Sequence, residues 1–360
     1  MNNDPGTDSR SASGMKASVV GGGSWGTAFA RLLARAGLMT ELICRRPEQA
    51  EAINRTHRNP DYLRELELPA GVVAATLTEN RLREAGLAVI AIPSKAYRNV
   101  VMQISACLNP EAVVLSLTKG LEPETLKRLS QVLVEELPRP AAGRVAVLSG
   151  PNHAEEVALD IPTATTLAST DPELARWLQQ LLSSDSFRVY INKDLVGVEL
   201  AAATKNVIAL AAGMSDGLGF GDNTKASLIT RGLAEMARLG EALGADPHTY
   251  YGLAGMGDLI ATCTSRHSRN RRAGELIAGG LTPAEAEVEM GMVAEGLTSA
   301  PAVCALARTH GVEMPIAEQV CAVLEGKDVR RAVAELMQRA PRSEGRAGSG
   351  ISGSAESDDG

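Results

Sequence analysis

The feature that most constrains this chain is the stretch Ala17-Ser18-Val19-Val20-Gly21-Gly22-Gly23-Ser24-Trp25-Gly26-Thr27-Ala28-Phe29-Ala30. A short β-branched run stops at Gly21, further glycines stand at Gly23 and Gly26, and an Ala/Leu-rich helical pattern continues to Gly37. A strand, a tight turn and a helix in that order suit a dinucleotide pyrophosphate. Gly21 makes the turn, Gly23 admits the ligand to the backbone, Gly26 lets helix pack on strand, and the phosphates meet the positive helix end. A turn used only for packing can carry the same glycines, so the flanking strand and helix supply most of the argument.

The rest of the chain extends this pattern. Lys16–Val20, Glu41–Cys44, Ala88–Ile92, Ala112–Leu117 and Arg144–Leu148 read as strands, each followed by a longer segment with spaced apolar residues. Thr163–Ala168 and Phe187–Ile191 are two more, flanking a helix that starts after Asp171-Pro172. Repeated βα units predict an α/β fold with a Rossmann-like, doubly wound, mainly parallel sheet. From Lys193 the period changes to 3.6. Leu195–Met214, Asn223–Leu243, Ala273–Ala278, Pro283–Met290, Ser299–His310 and Ile316–Leu324 read as helices, which predicts an all-helical C-terminal domain. The expected organisation is a disordered tail over 1–14, a dinucleotide-binding domain over 15–192, a helical substrate-binding domain over 193–340 and a second disordered tail over 341–360.

With 36 Lys and Arg against 43 Asp and Glu, the net charge of -7 argues against nucleic-acid binding and against an anionic membrane surface. An anionic ligand must therefore be caught locally. The five cysteines are dispersed and odd in number, with no C-x-x-C pairing, so reduced thiols, no metal site and a cytoplasmic location are expected. No signal peptide is read, and no apolar run is read as approaching the roughly 20 residues that span a bilayer, so no membrane insertion is expected.

An NAD site carries an acidic residue about 20 residues past the glycines, at the end of the second strand. Here that strand ends in Arg45-Arg46. The pair can neutralise the 2′-phosphate of NADP or can be two solvated arginines; the location favours NADP(H), with NAD(H) possible.

Lys205 is the oddest residue in the chain. On a helical wheel it groups with Val198, Ala201, Ala202, Ile208, Ala209 and Ala212, and its alanine neighbours are too small to guide its stem to solvent. Burial lowers a lysine pKa toward the range where it exchanges protons in catalysis. Downstream, Gly255-Met256-Gly257-Asp258-Leu259 precedes a basic loop in which Ser268, Arg269 and Asn270 sit where a helix begins. A hydroxyl, a guanidinium, an amide and free backbone N–H groups at one spot suit a phosphate. Asp258 can pair with Lys205 or cap its Gly-rich turn. Thr118-Lys119-Gly120, Ser149-Gly150-Pro151-Asn152 and Pro93-Ser94-Lys95 each follow a strand, at the edge where open sheets bind ligands, and with Arg98 they are expected to line one cleft.

Taken together, these stretches resemble the bacterial-type NAD(P)-dependent glycerol-3-phosphate dehydrogenases from about Met15 to Ala340. The resemblance rests on the glycine loop, Asn59-Pro60-Asp61-Tyr62-Leu63, Ala91-Ile92-Pro93-Ser94, Thr118-Lys119-Gly120, Gly150-Pro151, Ala203-Thr204-Lys205-Asn206 and Gly219-Phe220-Gly221-Asp222-Asn223-Thr224-Lys225. It continues through Gly255-Met256-Gly257-Asp258-Leu259, Ser268-Arg269-Asn270 and Val293-Ala294-Glu295-Gly296. It implies interconversion of dihydroxyacetone phosphate and sn-glycerol 3-phosphate for phospholipid synthesis, by an enzyme expected to be a homodimer. Ser24, Trp25, Arg45, Arg46, Lys119, Ala154, Arg269, Val293 and Glu295 match the family's cofactor contacts. Lys119, Gly150, Lys205, Asp258, Ser268, Arg269 and Asn270 match its substrate contacts, with Lys205 as proton donor or acceptor. Asn152 departs from the family's usual Ser or Thr, but it can still donate and accept hydrogen bonds.

Overall fold

Eight strands build one sheet: β1 (Lys16–Val20), β2 (Met39–Cys44), β3 (Val72–Thr76), β4 (Ala85–Ile90), β5 (Val113–Ser116), β6 (Val145–Ser149), β7 (Thr163–Ala168) and β8 (Phe187–Asn192). The structure is a computed structural model and describes residues 14–77 and 82–340. Both expected tails, apart from Gly14, lie outside the described residues. The strand order is β3-β2-β1-β4-β5-β6-β7-β8, and every pair is parallel except β6 with β7. The chain winds outward from β1 to β3, then returns to β4 on the other side of β1. This doubly wound sheet puts the switch in strand order between β1 and β4, where the glycine loop leaves the sheet.

Local chemistry explains most elements. Asp171 caps the helix Pro172–Leu182 by accepting from the backbone N–H of Glu173 and Leu174, with Pro172 at the first helical position. β3 was not among the strands expected from the sequence, because two of its five residues are alanines with weak strand preference. Pairing with β2 creates it, and Asn54 covers its outer edge: the amide donates to the Ala74 carbonyl (2.8 Å) and accepts from the Ala74 N–H (2.7 Å). β4 begins three residues earlier than expected and ends at Ile90, which releases Ala91 and Ile92 to the loop facing Gly21.

Beyond β8 the described chain is helical. The helix Leu195–Gly217 is its centre and is buried on all sides from Gly197 to Ser215. Asp222–Ala242, Asp258–Thr264, Arg269–Ala278 and Glu295–Thr309 pack around it. At 23 residues, with a mean hydropathy of 1.5 over its most apolar window, it is long and apolar enough to cross a membrane, contrary to the expectation of no such run. Its most apolar window is nonetheless 89% buried inside the protein, as befits a core helix. The helices Asp258–Thr264 and Val329–Met337 were not expected, and Glu295–Thr309 starts four residues before the predicted Ser299. Pro301 masks that start in the sequence, since proline favours a helix's first turn over its interior.

Candidate active site

The glycine loop is held by close contacts that exclude side chains. Gly21 has φ +123°, and a Cβ there would lie 2.2 Å from the Ala91 carbonyl oxygen; a Cβ on Gly26 would lie 1.9 Å from the Gly21 oxygen. Nothing lies within 4 Å of a Cβ built on Gly23, so the loop is open where a ligand would approach. The Gly22 carbonyl accepts from Gln49 Nε2 (2.8 Å) and Asn59 Nδ2 (3.0 Å), which turns that oxygen into the protein. The helix Ser24–Arg35 has no side-chain cap and no acidic residue in its first turn. Its first N–H groups and positive end suit a pyrophosphate, so the loop fits a dinucleotide. Trp25 stacks edge-on against Phe29 at 5.6 Å, and its indole Nε1 is buried without a partner. Ala154 opens a short helix, Ala154–Ala158, packed against Ala28 beside the loop.

Arg45 and Arg46 are exposed at the end of β2. Asp61 holds Arg46 in an ion pair, whereas no ion pair or hydrogen bond is found for Arg45 among the described residues.

At the carboxyl ends of the strands, two loops and two helices converge on one carboxylate. Lys119, after β5, donates to Asp258 Oδ2 (2.8 Å), the Gly150 carbonyl (3.0 Å) and Asn152 Oδ1 (3.0 Å). Lys205, from the central helix, donates to Asp258 Oδ1 (2.8 Å) and Thr262 Oγ1 (2.6 Å). Asn152 is fixed in turn by donating to Thr165 Oγ1 at 3.0 Å. Burial, the largest influence, pushes the Lys205 pKa down to about 8, with Asp258 opposing and Lys119 assisting. Burial pushes Asp258 up, but the two ammonium groups outweigh it and hold the carboxyl below its ordinary range. Lys205 does not snorkel to solvent, and Asp258 pairs with lysines rather than only closing its turn.

The phosphate candidates sit at the start of the helix Arg269–Ala278. Ser268 caps it, accepting from the Arg271 N–H at 3.2 Å, with its own hydroxyl proton still available. Arg269 is exposed and no ion pair is found for it among the described residues. Asn270 is more committed than the sequence suggested. Its Nδ2 donates to Asn206 Oδ1 (2.9 Å) and its Oδ1 accepts from the Gly296 N–H (2.8 Å), so the amide chiefly ties three helices together. Val293 is exposed. The Glu295 carboxylate accepts from Ser94 N–H (3.1 Å) and Ser94 Oγ (2.6 Å), joining the helical half to the loop after β4. Burial raises its pKa against those bonds.

Arg98 does not line the cleft. Its guanidinium is caged by Glu122 (2.6 and 2.7 Å), Glu135 (2.9 Å) and Glu136, a neutralisation that no local pattern announces. Sequence reasoning also passed over Thr262, whose signal was its spacing of four from Asp258 on a helix that was not recognised. All five cysteines are buried and free. Among the described residues, no group of three His, Cys, Asp or Glu side chains could hold a metal ion.

Residues 16–175 match the family described as NAD-dependent glycerol-3-phosphate dehydrogenase N-terminus, and residues 194–334 match its C-terminus. A protein of Salinibacter ruber named glycerol-3-phosphate dehydrogenase (NAD(P)+) 2 is 47% identical over 91% of this chain and 95% of its own. One of Moorella thermoacetica, named glycerol-3-phosphate dehydrogenase (NAD(P)+), is 49% identical over 90% and 96%. The crystal structure of glycerol-3-phosphate dehydrogenase from Coxiella burnetii superposes with a TM-score of 0.86 at 38% identity, covering 91% of this chain and 99% of that one. An open glycine cradle at the switch point, two lysines on one buried carboxylate, and these matches along both halves lead to one conclusion: the chain belongs to the NAD-dependent glycerol-3-phosphate dehydrogenase family.

Proposed function

We propose that this chain reduces dihydroxyacetone phosphate to sn-glycerol 3-phosphate with a nicotinamide cofactor, NADP(H) in preference to NAD(H), and that Lys205 is its general acid and base. The observation that carries this reading is the shared Asp258 carboxylate, which positions a buried lysine of pKa about 8 beside a second lysine at the ligand-binding edge of the sheet. A pKa near the working pH suits a group that must both give and take a proton.

When bound, the nicotinamide supplies the hydride that reduces the ketone carbon. Protonated Lys205 delivers a proton from Nζ to the oxygen of that ketone as negative charge develops on it. Asp258 holds the ammonium in place, and Lys119 holds the same oxygen or the nearby phosphate. Arg269, the Ser268 hydroxyl and the N-terminus of the helix Arg269–Ala278 bind the phosphate, so remote binding energy orients the ketone. Asn270 keeps that helix registered against Asn206 and Gly296. Glu295 acts through Ser94 to hold the loop after β4 against the helical half.

In this reading residues 15–192 form the cofactor-binding domain, which also lends Lys119 to the substrate, and 193–340 form the substrate-binding domain. The glycines, Ser24, Trp25 and Ala154 serve the pyrophosphate half, and Arg45 with Arg46 the 2′-phosphate. A cytoplasmic homodimer completes it. The test is a spectrophotometric assay with dihydroxyacetone phosphate and each reduced nicotinamide in turn. Substrate-dependent oxidation, faster with NADPH, is expected, and no oxidation with either nucleotide would overturn the reading.

A further inference from the structure

His153 stands between Asn152, which binds Lys119, and Ala154 beside the glycine loop, yet none of the chemistry above uses its side chain. The Ala261 backbone acts on the ring as an acceptor that favours its charged form, while Nε2 is buried with no partner. A carbonyl oxygen can only accept, so with Ala261 as the backbone group acting on the neutral ring we assign the proton to Nδ1. Nε2 is then left with a bare lone pair. Buried polar atoms without partners are rare and call for a ligand or a water.

The surroundings narrow the ligand. Lys205, Lys119 and Asp258 are close enough to act on the ring electrostatically. Burial and then the two ammonium groups hold its pKa below the ordinary histidine range, against the pull of Asp258 and the Ala261 backbone, so the ring is neutral at pH 7. The His267 ring lies 6.4 Å away, one residue before Ser268 and the phosphate end of the site. His153 therefore neighbours both the proton-transferring lysine and the phosphate-binding turn.

Dihydroxyacetone phosphate presents three polar groups: a phosphate, a ketone oxygen and a primary hydroxyl. The first two are acceptors, matched by the lysines, Arg269, Ser268 and the helix N-terminus. The hydroxyl is a donor in need of an acceptor, and Nε2 is a buried acceptor in need of a donor. We infer that His153 is a specificity-determining residue whose Nε2 accepts a hydrogen bond from the primary hydroxyl of the substrate. This rests on dihydroxyacetone phosphate being the substrate. A site that pairs a buried acceptor with a substrate hydroxyl discriminates against an analogue lacking it, because the acceptor is then left unpaired.

The test compares dihydroxyacetone phosphate with hydroxyacetone phosphate, in which a methyl group replaces the hydroxymethyl. kcat/KM for each is measured in the unaltered enzyme and in His153→Phe, His153→Ala and His153→Gln, with NADPH binding followed by fluorescence to identify any variant that fails to fold. The unaltered enzyme should prefer dihydroxyacetone phosphate by about 10-fold or more. The Phe and Ala variants should lose about that factor on this substrate alone and bring the ratio toward unity. Gln, whose Oε1 can accept, should recover part of the preference. Equal losses on both substrates, or an unchanged ratio in a folded variant, would overturn the inference while leaving the proposed function intact. Absence of turnover by the unaltered enzyme would overturn both.

Discussion

Lys205 and Asp258 form a 2.8 Å ion pair in which neither side chain is more than 5% exposed, so each charge depends on the other for the solvation that water would give. Lys119 shares the same carboxylate from the opposite half of the molecule. One acid thus serves two cations, which ties the end of β5 to the central helix.

Replacing Lys205 with Met should leave NADPH binding near normal and lower kcat by about 10²–10⁴-fold, the usual loss with a general acid. Steady-state kinetics beside a fluorescence titration separate the two effects. Turnover close to normal would remove Lys205 from proton transfer.

Ketone reduction needs the protonated lysine, so it should fall as pH rises through about 8, while glycerol 3-phosphate oxidation should rise over the same interval. Asp258→Asn removes the group that favours the charged lysine and leaves two ammonium groups adjacent. The Lys205 pKa should fall further, moving both limbs to lower pH. A profile that keeps its midpoint would show that Asp258 does not set the lysine's charge.

Arg45 and Arg46 are expected to meet a 2′-phosphate. Changing both to Ala should raise KM for NADPH much more than for NADH. Because Arg46 is already held by Asp61, Arg45→Ala alone should account for the larger share. Equal effects on the two nucleotides would exclude both residues from phosphate recognition.

Glu235 is buried and accepts from the Ile316 N–H (2.9 Å) and Ala317 N–H (3.3 Å) at the start of the helix Pro315–Leu324. Burial outweighs those bonds and raises its pKa from 4.5 to about 7. The folded state therefore holds this proton more tightly than the unfolded chain. The resulting stabilisation, about 3 kcal/mol, is present below pH 4.5 and lost as pH rises through about 7. Glu235→Gln should flatten that dependence, measured as the difference in Tm between pH 5 and pH 8. An unchanged difference would assign the effect to other groups.

Much of the fold was legible because it rests on short-range rules. The period of the apolar residues marked strands and helices, Asp171-Pro172 marked a helix start, and the spacing of Gly21, Gly23 and Gly26 specified a turn whose contacts exclude any Cβ at its first and last positions. β3 escaped because its alanines form a strand only when β2 and Asn54 supply partners.

In the site, the sequence by itself determined which groups are present: Lys205 on the apolar face of a helix, and Lys119, Asp258, Ser268 and Arg269 beside a strand end or a glycine-rich or helix-starting turn. Only the tertiary structure decided how they are divided. It put both lysines on one carboxylate 139 and 53 residues away in the chain, took Arg98 out of the cleft with three glutamates, and bound the Asn270 amide between helices. The reason is physical. Backbone periodicity depends on neighbours a few residues apart, whereas the charge state and free valence of a polar side chain depend on whatever the folded chain brings within about 3 Å.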